Sequence, residues 1–303
     1  MGLLKIILPM FFFASFALAD IPKDELIYNH KIDGSEPIYS PTFLSANKIT
    51  NIGGDEPLIS ININGDIRAY PLRILIWHEV VNDVVGGIPV AITYDPLTNT
   101  SVVFKREVDG KALKFGSLGI VHKSGNLLYD HETNSWWQQF TGEAISGKLK
   151  GKKLESLPLR IESFISFKER QPDSKILIPS DEFARDYGLS PYPGYDSFFP
   201  FMYKDYHRKS NFDPMSYMIM VGKKVFPLEM IMVARKVEVD NYVIKWQPEQ
   251  NSVLSAKAIF YASDIGMVTV QKRTNNGLED VAYKVTFVFA VETFCPECVW
   301  YYK

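Results

Sequence analysis

Short runs of alternating apolar and polar residues dominate two stretches of the chain, residues 57–70 and 87–108. Both stretches are rich in Ile, Val, Thr and Tyr, which is typical of half-buried β-strands. Asn64-Gly65 lies inside the first stretch and Asp109-Gly110 follows the second, and both dipeptides favour two-residue hairpin turns. The pattern therefore predicts antiparallel sheet over much of the chain.

Helical patterns are few and short. Apolar residues recur at helical spacing over residues 71–80, 160–170 and 227–236. Pro71 and Pro227 each open a short apolar run, at a position where the missing N–H of proline costs nothing. The predicted fold class is therefore α+β, predominantly β, with a few short helices.

The two halves of the chain resemble each other weakly. Residues 65–72 (GDIRAYPL) are similar to residues 222–228 (GKKVFPL), and residues 163–174 are similar to residues 285–298. We interpret this similarity as an internal duplication that forms two similar β-rich lobes. The predicted parts are an N-terminal extension at 20–56, a first lobe at 57–178, a connector at 179–214 and a second lobe at 215–303.

The duplication predicts where a site lies. In the first copy a predicted helix carries His78 and Glu79, and Asn82 and Asp83 follow. The matching stretch of the second copy is Val-Ala-Arg at 233–235, without a histidine. Because both copies keep the apolar positions but only one keeps the polar cluster, we expect any site in the first lobe.

The first 19 residues have the pattern of a cleavable signal peptide. Lys5 provides a positive charge, an apolar run follows, and Ala17 and Ala19 form the small-residue pattern of a cleavage site. A membrane-spanning helix needs roughly 20 apolar residues, and this run is shorter. We therefore expect export, with no stable membrane span after cleavage.

Composition narrows the class of protein. The chain has 303 residues, a formal net charge of −2 and 46% hydrophobic residues. The nearly balanced charge argues against a nucleic-acid partner, which normally requires a basic surface. No Gly-rich phosphate loop, Gly-x-Ser-x-Gly elbow or His-Glu-x-x-His motif occurs, so those common enzyme classes are disfavoured.

Four segments carry long and uncommon motifs. They are WHEVVND at 77–83, VGGIPVAITY at 85–94, NLLYDHETNSWWQQFTGEAISG at 126–147, and RDYG, PY and YD within 185–196. These motifs resemble the bacterial family of domain of unknown function 3179, and the resemblance runs from about Ile32 to Tyr301. It implies a bacterial exported protein, periplasmic or extracellular, and it brings no settled activity.

One departure from the family pattern bears on chemistry. Members typically have Tyr-Cys-Pro-Leu-Cys where this chain has Tyr-Asp-Pro-Leu-Thr at 94–98. Some members are selenoproteins, which implies a redox role for that pair. Thiol or selenol exchange needs a sulfur or selenium nucleophile, and Asp95 and Thr98 provide neither. The redox role therefore does not carry over to this position.

Four residues match the family pattern and carry over as candidate site residues: His78, Glu79, Asn82 and Asp83. On a helix, His78 would share a face with Asn82, and Glu79 with Asp83. One hypothesis is that His78 acts beside Asp95 as a metal ligand or as an acid and base, with Asn82 orienting it. In the structural alternative, His78 bonds a buried loop while Asn82 and Asp83 cap the helix end.

Two other segments carry further candidates. Arg185 in the connector could clamp a carboxylate or phosphate ligand, or form an internal salt bridge between the lobes. Asp130 and Thr133 predict a turn closed by their side chains, although a Ca²⁺ or sugar site would use similar residues. Trp136 and Trp137 are adjacent on a predicted strand, so at most one of them lines a site.

The two cysteines, Cys295 and Cys298, have the spacing of a redox dithiol. In an oxidising compartment the simpler interpretation is a local disulfide that ties down the C-terminal strand. A loop of four residues removes little chain entropy, so this bond would stabilise the fold modestly. The alternative is a thiol pair that replaces the one absent at Asp95 and Thr98.

Three hypotheses remain for the function. The first is a metal or small-ligand binding protein with a polar site around His78 and Asp95, where oxygen ligands would favour hard metals. The second is a thiol–disulfide oxidoreductase that uses Cys295 and Cys298. The third is a non-catalytic envelope scaffold. The sequence leaves open whether the protein is an enzyme.

Overall fold

The computed structural model describes residues 21–179, 185–198 and 206–302. The predicted signal peptide at 1–19 lies outside the described residues, as does part of the predicted connector. Short strands predominate in the described ranges, accompanied by four short α-helices, so the predominantly β class is confirmed. None of these helices combines the length and apolar character needed to cross a membrane.

The α-helices have seven residues each: α1 Leu72–His78, α2 Phe164–Arg170, α3 Leu228–Ala234 and α4 Val288–Phe294. The predicted helix at 71–80 ends earlier, because Glu79 takes a positive φ that no helix accommodates. The predicted helix at 160–170 begins instead as a strand, since residues 160–163 pair with a neighbouring strand.

The strands are named in chain order. Those before residue 123 are β1 Leu26–Tyr28, β2 Thr42–Ser45, β3 Pro57–Ile63, β4 Asp66–Pro71, β5 Val80–Val85, β6 Ile88–Asp95, β7 Thr100–Lys105, β8 Glu107–Val108, β9 Lys111–Ala112 and β10 Phe115–His122. The next are β11 Gly125–Asp130, β12 Trp136–Gln138, β13 Glu143–Ser146, β14 Glu155–Ser156, β15 Arg160–Ser163 and β16 Lys175–Ile178. Those after residue 206 are β17 Tyr217–Val221, β18 Lys224–Pro227, β19 Lys236–Val239, β20 Tyr242–Gln247, β21 Met267–Thr274, β22 Gly277–Asp280, β23 Lys284–Phe287 and β24 Val299–Trp300.

In the part of the chain that the structure describes, the strands form five sheets of four or five strands in a propeller-like arrangement. The strand orders are β15-β3-β4-β16-β2, β14-β7-β6-β5, β1-β10-β11-β12-β13, β23-β17-β18-β24 and β19-β20-β21-β22. Strand β4 pairs with β16, and β18 with β24, in parallel; the other neighbours are antiparallel. Strands β8 and β9 form a separate hairpin.

Both predicted hairpin turns are confirmed. Asn64 and Gly65, with φ of +52° and +84°, join β3 to β4. Asp109 and Gly110, with φ of +50° and +76°, join β8 to β9. Two consecutive residues with positive φ make a turn whose twist matches that of the paired strands, and Asn, Asp and Gly adopt this conformation most readily.

The predicted division into two lobes is not confirmed. A single continuous core includes Ile59 and Ile92 from the predicted first lobe and Ile219 and Phe287 from the second. All four side chains are fully buried. Strand β7 also packs against β23, one strand from each predicted lobe. The two halves therefore share the apolar surface that stabilises them, and we expect them to unfold together.

Replacing Phe287 with alanine removes a buried ring from this shared core. We expect the free energy of unfolding of the whole chain to fall by about 3–5 kcal/mol. Denaturant unfolding followed by both circular dichroism and tryptophan fluorescence should keep one coincident transition. The matched control is Val233→Ala on the exposed face of α3, for which we expect a change within about 0.5 kcal/mol. Two separated transitions would contradict the shared core.

Candidate functional site

Helix α1 ends abruptly at the candidate residues. The N–H of Glu79 donates to Leu75 O at 2.7 Å, and its φ of +57° is one that residues other than glycine rarely adopt. The chain then continues as β5, which carries Asn82 and Asp83. The helical faces predicted for these residues therefore do not exist, and His78 and Glu79 point into different surroundings.

His78 is fully buried and joins two segments that are distant in sequence. Its Nδ1 lies 2.7 Å from Glu36 O, and its Nε2 lies 2.8 Å from the Tyr187 hydroxyl. A carbonyl oxygen only accepts, so Nδ1 carries the proton and Nε2 accepts from Tyr187. Burial lowers the pKa of His78 below its usual value, which favours this neutral ring. Both ring nitrogens are therefore engaged within the protein.

Arg185 forms the internal salt bridge that the sequence offered as one of its two roles. Its Nη2 donates to the Glu36 carboxylate at 2.6 Å, and its guanidinium lies 5.6 Å from the centre of the Trp77 ring. The partner belongs to the N-terminal extension and not to a second lobe. Glu36 thus binds His78 through its carbonyl and Arg185 through its side chain, which fixes the extension to the helix.

Asn82 and Asp83 hold neighbouring sheets together. The side-chain amide of Asn82 both donates to Phe115 O and accepts from Phe115 N, each at 2.8 Å, as a paired strand would. The Asp83 carboxylate accepts from Arg68 at 2.8 Å and from the Tyr70 hydroxyl at 2.6 Å. All of these donors and acceptors are satisfied within the protein, so the two residues act structurally.

Asp95 closes a buried turn at residues 95–98. One carboxylate oxygen accepts from Leu97 N at 3.0 Å, and the other from the Thr98 hydroxyl at 2.8 Å and from Asn126 N at 3.1 Å. Burial nevertheless raises the pKa of Asp95 to about 7. Asp95 and Thr98 are both fully buried, so this pair is closed to solvent.

His78 and Asp95, the predicted metal ligands, do not belong to a metal-binding cluster in the described part of the chain. Within residues 21–179, 185–198 and 206–302, no group of three or more His, Cys, Asp and Glu side chains is placed to hold a metal ion. The hydrogen bonds of His78 lead to Glu36 and Tyr187, and those of Asp95 lead to its own turn and to Asn126.

The carboxyl group of Glu79 contacts Ser117 and His30, two residues that the sequence did not identify as candidates. One carboxylate oxygen accepts from the Ser117 hydroxyl at 2.7 Å, and the other lies 3.9 Å from Nε2 of His30. Burial raises the pKa of Glu79. The signal that could have found this contact is Gly119 on β10, where a Cβ would lie 2.2 Å from His30 O. Only glycine lets the loop that carries His30 approach this strand.

A cavity of about 350 Å³ opens beside His30. It is lined by Tyr28, His30, Lys31, Ile32, Leu118, Ile120 and Trp136. Trp136 and Tyr28 place aromatic rings on its wall, and Tyr28 is 71% exposed. His30 therefore lies between an open aromatic cavity and the buried carboxyl of Glu79, an arrangement suited to recognising a small charged ligand.

The predicted turn at Asp130 is confirmed, and it explains why only one of the two tryptophans lines the cavity. The Asp130 carboxylate accepts from Thr133 N at 2.6 Å and from the Trp137 indole N–H at 2.9 Å. Trp137 is thereby fixed in the core, while its neighbour Trp136 faces the other side of β12.

Cys295 and Cys298 form a disulfide. The bond spans the turn between α4 and β24, where Cys298 N donates to Cys295 O at 3.0 Å. This position agrees with the local disulfide expected from the sequence. Both cysteines are largely buried, with exposures of 5% and 8%.

A family model described as protein of unknown function (DUF3179) matches residues 33–298, which is most of the chain. No curated protein and no solved structure matches. The matched range contains α1, Glu79 and the turn at Asp95. It begins after Tyr28, His30 and Lys31, which line one side of the cavity.

We expect the structural role of His78 to be visible in the pH dependence of stability. The folded state favours the neutral ring, whereas the unfolded ring binds a proton below about pH 6.5, so this group's contribution to stability falls on acidification. The difference in free energy of unfolding between the native chain and His78→Gln should therefore shrink from pH 7 to pH 5, as measured by urea unfolding. Tyr187→Phe keeps the imidazole and should keep the decline. A difference that grows toward pH 5 would contradict the neutral ring.

Proposed function

Because this chain belongs to the DUF3179 family of proteins of unknown function, we propose its function from the site alone. We propose that it binds a small aromatic anion in the cavity beside His30. The observation that carries this proposal is the aromatic wall of Tyr28 and Trp136 next to two basic residues, His30 and Lys31. The sequence analysis expected a small-ligand site around His78 and Asp95. We keep the small ligand but propose that it binds in the cavity beside His30, next to Glu79.

The size and lining of the cavity fit one aromatic ring system. A volume of about 350 Å³ is at the lower end of the range for small-molecule sites. Ile32, Leu118 and Ile120 complete an apolar wall on which a flat ligand would lose its hydration. Offset stacking on Trp136 adds about 0.5–1.5 kcal/mol beyond that burial.

The charges around the cavity favour an anion. Lys31 and His30 are both on its wall, and Nδ1 of His30 is held by Lys31 O at 2.8 Å. Its Nε2 is therefore directed at Glu79, 3.9 Å away. Lys31 would pair with the ligand directly.

The internal duplication inferred from the sequence supports the same location. Helices α1 and α3 both follow a proline, and both end at a residue with positive φ, +57° at Glu79 and +62° at Arg235. Glu79 is buried beside the cavity, whereas Arg235 is exposed. In the duplication that we infer, the turn after α1 and the turn after α3 correspond, and only the turn after α1 carries a buried acid.

The surroundings of His78 and Asp95 argue against a metal ion bound by these two residues, which favours the organic ligand proposed for the cavity. Both nitrogens of His78 are engaged, and the Asp95 carboxylate accepts three hydrogen bonds in a closed turn.

Export to the periplasm or beyond remains a prediction from residues 1–19, and it would place the cavity in contact with ligands outside the cytoplasm.

Binding of the fluorescent aromatic sulfonate 1-anilinonaphthalene-8-sulfonate tests the proposal. We expect Trp136→Ala to weaken its affinity about tenfold or more, because the stacking surface is lost. We expect Lys31→Gln, an exposed substitution that leaves the fold intact, to weaken it by up to about fivefold. Both constants are measured by fluorescence titration of the folded protein.

Tyr261→Ala is the matched control, because it removes an aromatic ring that is 80% exposed and does not line this cavity. Its affinity for the probe should equal that of the native chain. Unchanged affinity in both Trp136→Ala and Lys31→Gln, or an equal loss in Tyr261→Ala, would overturn the assignment to this cavity.

A further inference from the structure

A second cavity, of about 550 Å³, lies against the disulfide at the far end of the chain. Its wall includes Cys295 and Pro296, the buried acid Glu292, and the aromatic residues Phe212, Trp300 and Tyr302. This cavity shares no lining residue with the one beside His30. An inference about it is therefore independent of the proposed function.

The two cysteines of the disulfide differ in their position relative to the cavity. Cys295 is the first residue after α4, with its N–H bonded to Val291 O at 2.8 Å, and it lines the cavity. Cys298, three residues later, is not part of the lining. Exchange depends on which sulfur an incoming thiolate can reach. A thiolate that enters through the cavity would meet Cys295, the cysteine on its wall, and Cys298 would be the leaving group.

Phe212, Trp300 and Tyr302 form an aromatic surface on the wall of the cavity that Cys295 also lines. We call this surface the aromatic bed. Phe212 stacks on Trp300 with ring centres 5.8 Å apart, and Tyr302 meets Phe212 edge to face at 6.0 Å. Tyr302 is 64% exposed, so the bed is open to solvent. Stacked rings of this kind bind aromatic side chains of an extended peptide, which would bring a nearby cysteine to Cys295.

Glu292 lies one helical turn before Cys295 and on the same cavity wall. It is only 4% exposed. The hydroxyl of Tyr206 donates to one of its carboxylate oxygens, and Lys209 N donates to the other at 3.3 Å. These bonds fix the Glu292 side chain at the cavity wall.

We propose that the Cys295–Cys298 disulfide oxidises dithiols in polypeptides that carry an aromatic residue next to cysteine. A peptide thiolate attacks Cys295 Sγ, the Cys295–Cys298 bond breaks, and Cys298 leaves as a thiolate. The second peptide thiolate then attacks the peptide sulfur of this mixed disulfide, and Cys295 leaves. Two electrons pass from the peptide to the protein, and the two protons lost by the peptide end on Cys295 and Cys298.

A single-turnover assay with the intact protein tests this proposal. The probe is a synthetic peptide, Trp-Cys-Gly-Cys-Gly, supplied as the dithiol, and its oxidation is followed by mass spectrometry. We expect one equivalent of protein to oxidise about one equivalent of peptide. The double variant Cys295→Ser and Cys298→Ser should oxidise none above background. In Cys298→Ser, the mixed disulfide with Cys295 should accumulate when the peptide is offered as an activated disulfide.

The variant Phe212→Ala tests whether the aromatic residues recognise a peptide substrate or whether the disulfide is purely structural. We expect it to slow oxidation of the aromatic peptide about tenfold, while the rate with dithiothreitol, which needs no aromatic bed, stays within twofold. Dithiothreitol also verifies that the variant is folded around an intact disulfide. Peptide oxidation at the background rate in the native chain would overturn the proposal, and so would equal slowing of both reductants by Phe212→Ala.

Discussion

The turn at Glu79 is the constraint on which the site depends. A helix cannot continue through a residue with φ of +57°, so α1 stops and the chain reverses into β5. Because the turn separates two adjacent side chains, His78 reaches the N-terminal extension and the connector, whereas Glu79 reaches β10 and the loop that carries His30. One backbone conformation thus connects α1 and β5 with three regions that are distant from them in sequence: the N-terminal extension, β10 and the connector.

Burial then decides the protonation of the groups that this turn brings inside. A neutral ring costs less to bury than a charged one, which lowers the pKa of His78, and a neutral carboxyl costs less than a carboxylate, which raises the pKa of Glu79 and Asp95. The hydrogen bonds to Asp95 and Glu79 offset part of that cost. Burial therefore favours the neutral forms of these three side chains.

Local signals in the sequence predicted the strands within 57–70 and 87–108, the two hairpins, the short helices after Pro71 and Pro227, and the disulfide. Each of these depends on neighbours within a few residues. The end of α1 was placed too late, because nothing in a glutamate marks a positive φ. The contact of His30 with Glu79 joins residues that are far apart in sequence, and no local pattern records it. The two-lobe prediction is not confirmed, since periodicity shows which faces are apolar but not which faces meet.

The turn at residues 95–98 also bears on how the chain matures. A turn closed by the Asp95–Thr98 hydrogen bond forms as soon as the surrounding strands pack, whereas a turn closed by two cysteines has to wait for an oxidant, over seconds to hours. This turn therefore needs no oxidant to close, in reducing or in oxidising surroundings. Sensitivity to thiol–disulfide exchange is confined to the bond between Cys295 and Cys298, which follows α4.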